Sequence, residues 1–283
     1  MCALLGACGE DPAGAVTDAG RPLAACDSPG RQRSAVLVSY GFVRADPMRG
    51  GVVDGFDLDD RASTAGDPMS CRHADFTSPD GVPGIDNQFA RLLPVVDSMT
   101  GGAVDGLIQG AVNNGQLLLA VTMDGVDDLR EDQCVRLTFQ RVQGVPLVGS
   151  DMRIDPGQTF DLMRDEPVGR ATARIRGGVL EAGPFELPFP VAVLDARFVM
   201  DLHGARIRAR VGPDGSLSGV IGAGINWQAV GETIARYGIG EGLQSMLVGA
   251  LRLFADLAPD GGGVCRQISA GLRFDARPAF VNP

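Results

Sequence analysis

Lysine is absent from this sequence; all 25 of its basic residues are arginine. Without lysine there is no amine for Schiff-base chemistry and no phosphate-gripping P-loop side chain. Histidine occurs twice, as His73 and His203, and tryptophan once. No serine sits in a G-x-S-x-G frame and no H-E-x-x-H is present, so two common hydrolase signatures are missing. No apolar run approaches the roughly 18 residues that a membrane-spanning helix needs. No C-x-x-C occurs among the six cysteines. Positive charge is also short: 25 Arg stand against 35 acidic residues, a net charge of -10. Such a balance argues against a nucleic-acid partner, whose phosphates would be repelled.

Apolar residues make up 45% of the 283 positions, sufficient for one large core. The acids divide into 28 Asp and 7 Glu. Aspartate favours turns, helix caps and hard-cation sites, so the bias points to acidic, turn-rich connections.

The chain starts Met1-Cys2-Ala3-Leu4-Leu5-Gly6-Ala7-Cys8. Leu5-Gly6-Ala7-Cys8 resembles the lipobox of bacterial lipoproteins, in which two small residues precede the cysteine that is cleaved and acylated. The resemblance implies that residues 1–7 are the remnant of a signal peptide and that Cys8 carries lipid. It also implies anchorage of the exported body to a membrane, at the periplasm, outer membrane or cell surface. The plain alternative is a small apolar N-terminus with two incidental cysteines. Residues 8–34, rich in Gly, Ala, Pro and Asp, read as a flexible tether, and residues 35–283 as one α+β domain. Four cysteines remain for the body: Cys26, Cys71, Cys134 and Cys265. Widely spaced and even in number, they predict two disulfides in an oxidising compartment, with three connectivities open. Structural zinc would want ligands paired at short spacing.

Residues 35–43 read as a strand, residues 116–123 and 134–142 as two more. Ala171-Thr172-Ala173-Arg174-Ile175-Arg176 and Ala205-Arg206-Ile207-Arg208-Ala209-Arg210-Val211 alternate with period two, as half-buried antiparallel strands do. Pro213-Asp214-Gly215-Ser216 marks a hairpin turn before a strand over 217–225. Short helices are predicted from Asn87, capped by Asp86 and interrupted at Pro94, and over 104–112 with a stop at Asn113-Asn114-Gly115. Two more follow near 227–237 and 241–257, the second carrying the stripe Leu243, Met246, Leu247, Ala250, Leu251, Phe254 and Leu257. A last strand spans 264–274. The expected fold is α+β: mainly antiparallel sheet, as a curved sheet or sandwich, packed by a few short helices and one longer C-terminal helix.

Nine aspartates fall between Asp46 and Asp86, in a stretch with little periodicity. Some forty structureless residues are improbable inside a domain unless a disulfide or a cation fixes them. Val53-Asp54-Gly55-Phe56-Asp57-Leu58-Asp59-Asp60 and the run from Asp75 through Asp80 to Asp86-Asn87 offer carboxylates on glycine turns. Calcium takes six to eight oxygens in flexible geometry and neutralises crowded acids. The expected ligand pool is Asp54, Asp57, Asp59, Asp75, Asp80, Asp86 and Asn87; the alternative is a solvated acidic loop of turn formers. The second run resembles the calcium loops of thrombospondin type 3 and EF-hand-like repeats over some fifteen residues. The order of lipobox, tether, strand, acidic loop and Gly-rich strands is similar to uncharacterised lipoproteins of high-GC Gram-negative bacteria, which implies no activity.

Enzyme signatures stay weak. His73 near Asp75, or His203 near Asp201, would serve as a base with an orienting acid, but a lone His beside Asp is ordinarily a surface pair. Gly222-Ala223-Gly224-Ile225-Asn226-Trp227 resembles a dinucleotide fingerprint with Trp where the third Gly belongs, so a tight turn explains it better. The expectation is a structural or binding module at the envelope, meeting a protein or polysaccharide there. The rivals are a carrier of lipid or another apolar ligand, in a cavity between sheet and C-terminal helix, and a hydrolase with a His-Asp pair.

Overall fold

The computed structural model describes residues 26, 30–193, 196–237 and 241–283. The lipobox, Cys8 and most of the tether lie outside these residues. In chain order the elements are β1 (Arg31–Phe42), β2 (Phe76–Thr77), β3 (Pro83–Ile85), α1 (Phe89–Thr100), α2 (Val104–Asn113), β4 (Leu119–Val126) and β5 (Glu131–Gln143). There follow β6 (Thr159–Leu162), β7 (Gly169–Arg176), β8 (Val179–Val193), β9 (Ala196–Val211), β10 (Leu217–Asn226) and α3 (Trp227–Arg236). The chain ends with α4 (Glu241–Leu253), β11 (Leu257–Pro259), β12 (Cys265–Pro278) and β13 (Phe280–Asn282). β1 starts at Arg31, so its first residues come out of the stretch read as tether.

The expected antiparallel sheet curves until it closes. β1 pairs with β4, β4 with β5, β5 with β7, and then β8, β9, β10 and β12 follow in turn before β12 returns to β1. Every one of those pairings is antiparallel, and together they make an eight-stranded barrel. β6 and β13 extend β5 on one flank, and β11 adds to β12. Closure leaves the ring without a free edge.

Alternation fills the inside. In β7, Ala171, Ala173 and Ile175 are buried while Arg170 and Arg176 are exposed. In β9, Leu202, Ala205, Ile207 and Ala209 are buried and Arg208 and Arg210 exposed. One row across the barrel runs Ala35, Val121, Phe139, Gly169. Phe139 in that row stacks on Phe185 at 5.5 Å, and Gly169 is packed so closely that a Cβ there would meet Leu187 at 3.1 Å. A barrel of this size has room for little more than its own side chains or one small ligand. A membrane barrel needs the reverse pattern, apolar outside and polar within; the arginines on the outer faces of β7 and β9 oppose that. No helix among the described residues is long and apolar enough to cross a membrane.

Gly177 and Gly178, at φ 58° and 77°, make the two-residue turn from β7 to β8. The Asp214 carboxylate accepts the Ser216 N–H in the turn from β9 to β10. Several sequence expectations need correction. α1 begins at Phe89, with no side-chain cap, because the Asp86 carboxylate accepts from Leu58 N instead. Pro94 lies inside α1 without ending it. The last helix stops at Leu253, one residue longer than α1 rather than distinctly long. Its stripe continues in sequence to Leu257, but there the chain pairs with β12, Leu257 opposite Gln267. Asp256 explains the break: its N–H donates to Gln267 O and its carboxylate accepts twice from Ser269.

The two disulfides are Cys26–Cys134 and Cys71–Cys265. Two such bonds in one domain mark a protein that folds in an oxidising, exported environment.

Candidate metal centre

Residues 43–88 are ordered against the outside of the barrel. A second apolar cluster of Val43, Val53, Phe76, Ile85 and Ala90 packs on Val220 of β10. The Phe56 ring lies over Gly222, where a Cβ would meet it at 2.6 Å. Single bridges join Val52 to Thr77 and Phe56 to Asp86. Arg206 and Arg208 reach out from β9 to Asp60 and Asp54, each at 2.8 Å. Cys71–Cys265 ties the loop to β12. The stretch without periodicity is thus held by a small core of its own, a disulfide and the rim ion pairs.

Asp57 and Asp59 project from the turn after Phe56, and both accept from Arg61 N, at 3.0 and 3.1 Å. Asp86 arrives from β3. Its N–H donates to Phe56 O at 2.8 Å, and its Oδ2 accepts from Leu58 N at 2.6 Å. Gly84, at φ 87°, permits the approach, since a Cβ there would meet Arg61 O at 3.1 Å and Asp57 Oδ2 at 3.3 Å. The result is three carboxylates that each bring one oxygen to within 4.8 Å of the other two. Asp86 is 2% exposed; Asp57 and Asp59 are half-buried.

Asp75 stands beside Asp86, its Oδ2 accepting from Ser63 N and its Oδ1 buried without a partner. Behind them Asp256, 1% exposed, takes Ser269 N and Oγ at 2.7 and 2.6 Å, and Ser269 Oγ accepts from Gln88 N at 2.8 Å. Burial, reinforced by Asp256, Asp59 and Asp75, pushes the Asp86 carboxyl up to about 9. Burial raises Asp256 to about 7 against the opposing pull of Ser269. Asp57, Asp59 and Asp75 are raised as well, first by burial. The nearby guanidinium groups are engaged on the rim: Arg61 with Asp67, Arg206 with Asp60, Arg208 with Asp54. Arg206 and Arg61 still lower Asp57 and Asp59 in part, but burial prevails, so the cluster favours a bound proton or cation over a full set of bare charges.

Comparison with protein-family models, with curated proteins and with solved structures finds no match to this chain.

Of the expected ligand pool, Asp57, Asp59 and Asp86 converge and Asp75 adjoins them. Asp54 is turned to Arg208, Asp80 is exposed in the β2–β3 turn, and Asn87 Oδ1 accepts from Gly271 N at 3.1 Å. Sequence reading missed Asp256, Ser269, Ser63 and Gln88. Asp256 lies far along the chain, and its only local signal was an acid inside an apolar stripe. Neither histidine belongs to the triad. His203 Nδ1 meets Glu186 Oε2 at 2.7 Å, not Asp201. His73 stacks on Phe254 at 6.3 Å between centroids, and burial lowers its pKa. Gly222 and Gly224 lie within β10, and Asn226 caps α3. An open groove of about 630 Å³ runs along the outer side of β1, lined by Arg44, Asp54, Asp105, Arg153 and Arg273 among others. None of its lining residues comes from α4, and at the contact of sheet and C-terminal helix Leu251 and Ala255 are buried in the main core.

Proposed function

We propose that this protein is a cell-envelope lipoprotein whose barrel serves as a structural or binding module, with calcium at Asp57, Asp59 and Asp86. The observation that carries the cation is the convergence of carboxylates from two separate segments onto one partly buried point. An all-oxygen donor set on irregular backbone suits a hard cation of flexible geometry, which favours calcium over zinc or copper. The ion stabilises the docked loop and performs no chemistry. The lipobox-like Leu5-Gly6-Ala7-Cys8 and the two disulfides support export and anchorage through Cys8.

Melting in millimolar calcium and again in chelator tests the cation. At a hundredfold excess over Kd the ion adds about 2.7 kcal/mol, a rise in midpoint of roughly 5–10 °C for a domain of this size. Equal midpoints would overturn the calcium assignment. Intact-mass analysis of protein purified from its native membrane tests the anchor. A diacyl or triacyl increment on Cys8 is expected; an unmodified cysteine there would refute the lipoprotein reading.

A further inference from the structure

We infer that the acidic centre holds two divalent cations, with the Asp86 carboxylate between them. This rests on reading the Asp57–Asp59–Asp86 triad as the first cation position. Asp75 is in hydrogen-bond reach of Asp86 without belonging to the Asp57–Asp59–Asp86 set, so Asp86 is the member of the triad that it meets.

Independent of the carboxylates, two deeply buried side chains there carry oxygens with no partner. Gln88 is 0% exposed and its Oε1 is unsatisfied; Ser63 is 7% exposed and so is its Oγ. Both residues bracket Asp75. Gln88 Nε2 donates to Ala74 O at 2.8 Å, which leaves Oε1 as the free end of the same amide. Ser63 N donates to Asp75 Oδ2, and Asp75 N donates back to Ser63 O at 3.1 Å. With Asp75 Oδ1, three buried oxygens without a partner belong to Asp75 itself, to a residue hydrogen-bonded to it and to one hydrogen-bonded to its neighbour Ala74. Each such atom left dry costs on the order of 1–3 kcal/mol.

A proton shared by Asp75 and Asp86 would answer one of these oxygens and leave the others. A cation answers all three, since hard divalent ions take carboxylate, amide and hydroxyl oxygens together.

Calcium stoichiometry of the full mature protein, by native mass spectrometry after equilibration with calcium and removal of free ion, decides between one position and two. Two calcium ions per chain are expected, falling to one in Asp75→Asn with the fold unchanged by circular dichroism. One ion in the wild type, or no change in Asp75→Asn, would overturn the second position and leave the triad standing. No bound ion would overturn both readings. Should Asp75→Asn fail to fold, the wild-type count suffices: two ions support the second position and one ion overturns it.

Discussion

In chelator, the protein is expected to lose stability steadily as pH rises from about 4 to 9, the reverse of ordinary acid denaturation. Asp86 goes from 3.8 in the unfolded chain to about 9 in the native one, and Asp256 from 3.8 to about 7. A carboxyl whose native pKa is raised binds its proton more tightly when folded. Its contribution is present below the unfolded pKa and disappears as pH climbs through the native one. Each proton held by the native state alone gives a slope of about 1.4 kcal/mol per pH unit. Two protons act between about 4 and 7, and one between about 7 and 9. Saturating calcium should flatten or invert the curve, because the ion displaces those protons. Asp86→Asn supplies the internal control. Its amide oxygen can still accept from Leu58 N, and the side chain is neutral without having to take a proton from solution at pH 8. The variant should melt above the wild type in chelator at pH 8 and below it in calcium. A midpoint in chelator that is constant or rises between pH 5 and 9 would show that the cluster is neither buried nor proton-loaded.

Removing the Cys71–Cys265 disulfide should have the other large effect. The bond spans 194 residues, and loop-closure entropy assigns about 5 kcal/mol to a cross-link of that length. Measured losses for native disulfides are typically about 2–5 kcal/mol, so Cys71→Ala with Cys265→Ala should lower the midpoint by roughly 4–20 °C. The damage should be local as well as global. The bond fastens the acidic loop to β12, while the barrel closes through pairings that do not involve Cys71. Limited proteolysis should therefore cut within residues 43–88 first, with the strand signal in circular dichroism retained. Calcium affinity should fall with it, since Asp57, Asp59 and Asp75 lose the surface against which Asp86 is held. Unchanged proteolysis and unchanged affinity would mean that the small cluster around Val53, Phe76 and Ile85 docks the loop without help.

What the sequence determined by itself is local. Period-two alternation placed β7 and the second half of β9, Asp214-Gly215 placed a turn, and Asn113-Asn114-Gly115 placed the end of α2, because these depend on neighbours within a few residues. Cysteine number and spacing indicated an exported chain, and the density of aspartate marked the region of the candidate site. Tertiary structure alone decided the rest. Alternation says which face of a strand is buried but not which strand lies beside it, so the β5–β7 pairing that closes the barrel had no sequence signature. Nor could spacing choose among three disulfide connectivities, since pairing depends on where the folded backbone brings each cysteine. Among the aspartates, carboxylates with one composition acquired different environments: Asp54 and Asp60 met arginines on β9, while Asp57, Asp59 and Asp86 were drawn together by Arg61 N, Leu58 N and the open backbone at Gly84. Asp256 shows the limit most clearly. In sequence it continues a helical stripe; in the fold, burial obliges its carboxylate to find the Ser269 donors, and that need turns the helix into the strand that backs the acidic centre.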